Sequence, residues 1–220
     1  MTSNDMNFFK YCFTRGWVHE SLLDVGSSTF GGAQLSISMV AKDLGLKQVT
    51  GVDLAKNTGV DVVFDFSVKD ETFEGGWEAG SFNTVVVFNV LEHTFDPYQV
   101  LKNAAKCLKP GGTLLVVVPV VWPIHSFPKD HCRLLPDWFE EFARREGLSL
   151  VKEGFVWLSE FEMSPVDGVI KEGERQYPNF LNQGKLKSPL RYWSSRITHR
   201  ILNTFGISHS FNPYGFGCRF

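Results

Sequence analysis

The run Asp24-Val25-Gly26-Ser27-Ser28, answered by Val49-Thr50-Gly51-Val52-Asp53-Leu54, carries the clearest chemistry in the chain. A short apolar strand enters a small-residue turn, a helix follows, and a second strand ends on an acid. That is the opening of a nucleotide-binding α/β sheet. Gly26 lets backbone approach a ligand, since it has no Cβ, and the Asp53 carboxylate can accept hydrogen bonds from ribose hydroxyls. The expected ligand is an adenosine-type cofactor. A second grouping, His125, Asp130, His131 and Arg133, lies within Trp122–Arg133. A neutral imidazole, with an unperturbed pKa of about 6.5, can take the proton of a hydroxyl as its oxygen attacks. The same residues also suit an Asp-His pair that only braces a loop. A metal set of His125, Asp130, His131 and Cys132 is disfavoured, because neither helical nor zinc-type ligand spacing supports it.

These groups need strands and helices to position them. Leu22–Val25 reads as the first strand. Ile37, Val40, Ala41 and Leu44 then make one helical face that Gly45 ends. Gln48–Val52 and Asp61–Phe64 read as the second and third strands, and Asn83–Phe88 as a buried fourth after the turn at Ala79-Gly80-Ser81. Asp96 caps a helix with Pro97 at its first position. That helix buries Val100, Leu101, Ala104, Ala105 and Leu108, and stops at Lys109-Pro110-Gly111-Gly112. Thr113–Val118 is apolar throughout, as a central parallel strand should be. Pro136–Gly147 is a further amphipathic helix with Trp138, Phe139, Phe142 and Ala143 inward, and Leu148–Val151 follows as a strand. Such alternation specifies a parallel, doubly wound sheet.

Taken together, Gly80-Ser81-Phe82-Asn83, Val85-Val86-Val87, Val90-Leu91-Glu92-His93, Asp96-Pro97 and Leu108-Lys109-Pro110-Gly111-Gly112 resemble a class I S-adenosylmethionine-dependent methyltransferase of the small-molecule, type 11-like group. The resemblance runs from about Leu22 to Val151. It implies a Rossmann-like, doubly wound, mostly parallel seven-stranded sheet with an antiparallel edge strand, in three α/β/α layers. It implies S-adenosyl-L-methionine as cofactor, with Asp24 near the methionine end, Asp53 at the ribose, Leu54 beside it as a further cofactor-binding residue, and Asp65 and Phe66 at the adenine. Asn89, Val90 and Leu91 would wall the adenosine and sulfonium, and Gly26, Ser27 and Ser28 would form the turn beneath them. In such enzymes Glu92 and His93 line the cleft, so His93 joins His125, Asp130 and His131 as a catalytic candidate. Two departures stand out. Ser28 and Phe30 occupy positions where glycines are commoner, leaving Gly31 or Gly32 to close the turn, and Asn83 replaces a frequent Asp.

At 220 residues with 43% hydrophobic content the chain can bury one substantial core, so a single domain over 1–220 is expected. Residues 1–20 form an N-terminal cap, 21–153 the cofactor-binding core, 154–210 an insertion that covers substrate, and 211–220 a last strand. A net charge of −2 gives no global attraction to nucleic acid. The four cysteines form no CxxC pair and read as reduced thiols, and the polar N-terminus is a poor signal peptide, so the expectation is a soluble cytoplasmic protein. The helix expected within 185–205 carries Lys185, Lys187, Arg191, Arg196 and Arg200. It either packs on the sheet with its charges in water or meets an anionic substrate or membrane surface. The expected reaction is methyl transfer to an oxygen, secondarily a nitrogen, of a small-molecule or glycan-like acceptor. The competitors are an NAD-dependent oxidoreductase, for which no convincing Tyr-x-x-x-Lys pair is present, and a non-catalytic binding protein. The oligomeric state is not legible.

Overall fold

Val85-Val86-Val87 and Leu114–Val118 are apolar without interruption, the pattern of strands covered on both faces, and all eight are buried. They form the middle of a single sheet. The computed structural model describes residues 2–29, 36–69, 78–122, 124–125, 129–158, 163–166 and 214–219. In chain order these make α1 (Ser3–Thr14), β1 (Leu22–Val25), α2 (Ile37–Asp43), β2 (Val49–Asp53), β3 (Val62–Val63), β4 (Phe82–Phe88), α3 (Pro97–Lys106), β5 (Leu108–Val121), α4 (Pro136–Glu146), β6 (Val156–Leu158), β7 (Met163–Pro165) and β8 (Tyr214–Arg219), with 3-10 turns at Leu91–His93 and Lys152–Gly154.

The strands lie in the order β3-β2-β1-β4-β5-β8-β6-β7. β1 runs parallel to β2, with Leu22 opposite Val49, and parallel to β4, with Leu22 opposite Thr84. The order reverses between β1 and β4, which creates the crevice where such sheets bind ligands. Alternation along β4 sends Val85 and Val87 to one face and Val86 and Phe88 to the other. The first pair joins a cluster with Leu101 of α3 and Phe139 and Phe142 of α4. The second joins Phe8 and Phe9 of α1 with Ile37 and Val40 of α2. The three-layer α/β/α architecture is therefore present.

Local sequence explains the helix ends. Asp96 accepts from Gln99 N–H at 3.1 Å, with Pro97 at the first helical position, and Gly147 stops α4 in the left-handed conformation. Trp138 stacks on Phe142, half-buried at the flank of the core.

Three expectations change. Among the described residues the sheet has eight strands rather than seven. The antiparallel C-terminal strand β8 lies inside it, between β5 and β6, and the edge strand is β7, within the expected cover segment. Leu148–Val151 is not a strand. Leu148 and Leu150 pack partly on the core, and the chain reaches the sheet only after the 3-10 turn, where Val156, Trp157 and Leu158 are all buried. The expected 185–205 helix and Phe30, Gly31 and Gly32 lie outside the described residues. No helix among those described is long and apolar enough to cross a membrane.

Candidate active site

All the elements that could bind a nucleotide end on one side of the sheet. Gly26 follows β1, Asp53 ends β2, Asp65 follows β3, Asn89 follows β4, and the Trp122–Arg133 segment follows β5. This common edge comes from the parallel pairing of β1 to β5, which points every carboxyl end the same way.

The turn after β1 is held tightly. Gly26 has φ +82°, and its N–H donates to Val52 C=O at 2.8 Å. A Cβ on Gly26 would sit 2.3 Å from Val90 Cγ2, so the missing side chain lets the turn close on the segment after β4. Gly51 does the same from beneath, where a Cβ would meet Ser27 Oγ at 2.7 Å. Ser27 N–H donates to Val52 C=O at 3.1 Å. The hydroxyls of Ser27 and Ser28 are buried and make no hydrogen bond. Buried donors without partners are uncommon in folded proteins, and both lie in the turn where a ligand would bind.

A test of this packing is Gly26→Ala. A left-handed backbone costs a residue with a Cβ about 1–2 kcal/mol, and contact with Val90 adds to that. The melting temperature should fall by at least about 4 °C in a chain of this size. Adding Val90→Ala should recover the part due to contact and leave the part due to φ. An unchanged melting temperature for Gly26→Ala would contradict the packing.

Two carboxylates occupy the floor and rim. Asp24 is 2% exposed, and its Oδ2 accepts from Ser38 N–H and Ser38 Oγ–H, both at 2.7 Å. It thereby holds the first turn of α2. Burial, opposed by these two bonds and reinforced by the Asp53 charge, lifts its pKa to about 6. Asp53 accepts from Ser28 N–H at 3.0 Å through Oδ2 and from Leu54 N–H at 2.7 Å through Oδ1. Two backbone donors fix its carboxylate at the strand end, and each oxygen keeps a lone pair for a further donor.

The remaining cofactor candidates divide. Leu54 is 57% exposed and presents an apolar surface beside Asp53. Asp65 is exposed and accepts from Ser67 N–H at 2.8 Å. Phe66 turns into the core at 4% exposure, edge-on to Phe64, with its C=O taking a bond from Asn103. Leu91 likewise points inward. The sequence expectation that these two line the cleft is therefore corrected to core packing, because the apolar cluster between β4 and α3 takes both side chains. Val90 stays partly exposed against Gly26. Asn89, at φ +55°, donates from its backbone N–H to Val117 C=O and from Nδ2 to Asp5 Oδ2 at 2.9 Å.

The polar cluster after β4 and β5 is ordered by one arginine. Arg133 grips both oxygens of Asp130, one contact being Nη2 to Oδ2 at 2.6 Å. This holds the Asp130 carboxyl well below the ordinary carboxylate range, so it is ionised at neutral pH. Asp130 Oδ2 also lies 3.3 Å from His125 Nδ1. His93 Nδ1 bonds Lys129 C=O at 2.6 Å, so it carries the proton there and turns Nε2 toward Glu92 Oε1 at 3.6 Å. Burial holds His93 below its usual pKa. His93 and His125 meet edge to face, with ring centroids 4.8 Å apart. His131 is not part of this contact. Its side chain is exposed against Phe95, and only its backbone N–H reaches back, to Glu92 C=O.

Glu92, expected with His93 to line the cleft, is 2% exposed, and neither carboxylate oxygen has a hydrogen bond. Burial lifts its pKa to about 7. Donor atoms of Glu92, His93 and His125 lie within 4.8 Å of one another, a grouping that could hold a metal ion. The sequence-derived set of His125, Asp130, His131 and Cys132 does not converge among the described residues. Asp130 is taken by Arg133, and His131 faces away.

Comparison with known proteins agrees with this geometry. A family model described as a methyltransferase domain matches residues 7–158. A ubiquinone biosynthesis O-methyltransferase of Xanthomonas campestris pv. campestris is 29% identical over 170 residues, covering 69% of this chain and 66% of that protein. One of Caulobacter vibrioides is 33% identical over 103 residues, covering 44% and 39%. The chain thus spans 39% to 66% of these curated relatives. Among solved structures, a SAM dependent methyltransferase from Archaeoglobus fulgidus aligns with a TM-score of 0.53 at 12% identity, covering 99% of this chain and 95% of that one. A 1,6-didemethyltoxoflavin-N1-methyltransferase from Burkholderia thailandensis aligns at 0.54 and 11%, covering 99% and 78%. At these identities the structural likenesses establish the fold.

Proposed function

The chain belongs to the methyltransferase-domain family, and on that footing we propose that it transfers the methyl group of S-adenosyl-L-methionine to an oxygen of a small-molecule acceptor. The observation that carries this reading is the arrangement at the ends of β1, β2 and β4. There Gly26 closes on Val90 while the Asp53 carboxylate is presented by two backbone N–H groups. The residues present fit the cofactor. The hydroxyls of Ser27 and Ser28, buried in the turn after β1 without a hydrogen bond, are groups a bound cofactor could satisfy. In this reading Asp53 holds the ribose hydroxyls, Leu54 covers the adenine, Asp65 takes its amine, and Asp24 faces the methionine end. When bound, S-adenosyl-L-methionine supplies a methyl already activated by a positive sulfur.

What the chain must then provide is alignment and removal of the acceptor proton. His125 is the base in this reading. Asp130 beside Nδ1 fixes the ring and stabilises the imidazolium formed when Nε2 takes the proton, and Arg133 fixes Asp130 in turn. His93 stays neutral and lines the same cleft. The curated relatives' names favour oxygen over nitrogen as the acceptor atom. The competing oxidoreductase reading loses support at Tyr98-Gln99-Val100-Leu101-Lys102, the one Tyr-x-x-x-Lys run. It lies on α3, where the Tyr98 hydroxyl donates to Glu146 of α4. The test is incubation with methyl-labelled S-adenosyl-L-methionine and a panel of phenols and catechols. A labelled methyl ether is expected, and labelling of amines alone would overturn the choice of oxygen.

The cofactor's ammonium gives a pH prediction. In the free protein Asp24 titrates near 6, because burial favours its neutral form; Ser38, Lys42 and Asp53 are the groups around it. Its contribution to stability is present below the unfolded value of 3.8 and is lost as pH rises through 6. Binding an ammonium favours the carboxylate, so the ligand lowers this pKa and binds best above it. Affinity for S-adenosylhomocysteine should be about tenfold weaker at pH 5 than at pH 7, with proton release below pH 6. Calorimetry across pH 5–8 checks this, and an affinity flat over that range would remove Asp24 from the ammonium.

A further inference from the structure

The proposed cofactor site lies at the carboxyl ends of the parallel strands, yet the segment after β4 is fastened by a residue eighty-four positions away, at the start of α1. Asp5 is the third residue of that helix and lies 3% exposed. Its Oδ2 accepts from Thr2 N–H, closing the capping box, and from Asn89 Nδ2 at 2.9 Å. Asn89 is the one residue other than glycine with positive φ among those described. At that position the chain leaves β4 and enters the Leu91–His93 turn, passing Val90 against Gly26 on the way. The backbone of Asn89 is tied to β5 through Val117 C=O, while its side chain is tied to α1. Phe8 and Phe9, fully buried, seat α1 on the sheet beneath this contact, with the Phe8 ring 6.0 Å from that of Phe88.

A buried carboxylate needs a partner that lowers the cost of its burial. Asp5 finds two, and one of them is the side chain that sets the course of the pocket wall. The left-handed conformation is tolerated by asparagine better than by most residues, but it is still uncommon and is held by its surroundings. Loss of the Asp5 contact would leave the Asn89 amide unsatisfied in a half-buried place and relax the side-chain tether at the entry to that turn.

We propose that Asp5 is a positioning residue for cofactor binding, and that it acts through the Asn89 amide to hold the segment Asn89-Val90 against Gly26. The N-terminal helix is in this way part of the binding site and not a cap that can be dispensed with. The inference rests on the cofactor reading given above.

The test is a double-mutant cycle in the full chain, read as the Kd for S-adenosylhomocysteine. Asp5→Ala and Asn89→Ala should each weaken binding about tenfold, consistent with loss of a hydrogen bond to a charged group. The double variant should be weaker than either by less than about threefold, since both remove the same contact. Asp5→Asn keeps an acceptor for the Asn89 amide and should bind within about threefold of wild type. If Asp5→Ala does not fold, Asp5→Ser serves, because its hydroxyl is too short to reach Asn89. Independent losses that multiply in the double variant would overturn the inference. So would equal losses in Asp5→Asn and Asp5→Ala, or no loss in Asp5→Ala. Failure of the wild-type protein itself to bind would sink the cofactor reading and take this inference with it, which separates the two.

Discussion

Asp53→Ala should bind S-adenosylhomocysteine at least about 100-fold more weakly than wild type. The carboxylate is already oriented by the N–H groups of Ser28 and Leu54, so it meets two ribose hydroxyls with little further ordering. Hydrogen bonds to a charged group contribute about 1.5–3 kcal/mol each. Losing two removes about 3–6 kcal/mol, or a factor of about 10² to 10⁴ in Kd. The alanine also frees Ser28 N–H, so the turn beneath the cofactor loosens as well. Asp53→Asn keeps one acceptor oxygen and should fall between. Titration calorimetry resolves both, and an unchanged Kd for the alanine variant would mean that the sugar lies elsewhere.

His125→Ala should lower kcat by about 10² to 10⁴, the usual contribution of a positioned general base, while leaving the Kd for S-adenosylhomocysteine within about threefold. The separation is expected because His125 lies on the segment after β5, whereas the proposed cofactor contacts come from the ends of β1 to β4. Asp130→Asn should also slow turnover, since it removes the charge that stabilises the imidazolium and lets Arg133 release the loop. His131→Ala should keep nearly full turnover, because its side chain is exposed against Phe95. A slow His131→Ala beside a fast His125→Ala would reverse the assignment.

The part of this account that was legible in the sequence is the part written in local patterns. Asp24, Gly26 and Asp53 could be found because strand, turn and acid follow one another within thirty positions, and parallel pairing then brings them to one edge. Asp96-Pro97 and Gly147 marked helix ends through capping chemistry that depends on a few neighbours. The misses are all tertiary. Phe66 and Leu91 sit at positions that face a ligand in a linear reading, but the cluster between β4 and α3 draws both inside. Leu148–Val151 has the composition of a strand and no strand beside it among the described residues, while Val156–Leu158 is paired because β8 inserts between β5 and β6. His125 and His131 were indistinguishable by type and spacing; in the fold Asp130, held by Arg133, lies beside His125, while His131 is exposed against Phe95. Asp5 announced itself as a helix cap, and nothing in sequence order links it to Asn89. Glu92 was visible as half of a Glu-His pair, but its burial without a hydrogen bond to its carboxylate is a property of the folded chain.

The most direct measurement is the melting temperature with S-adenosylhomocysteine and, separately, with NAD. A ligand at 100 times its Kd adds about 2.7 kcal/mol of stability, which in a chain of this size raises the midpoint by about 5–10 °C. The account predicts that rise with S-adenosylhomocysteine and no change with NAD. A rise with NAD alone, or none with either ligand, would contradict it.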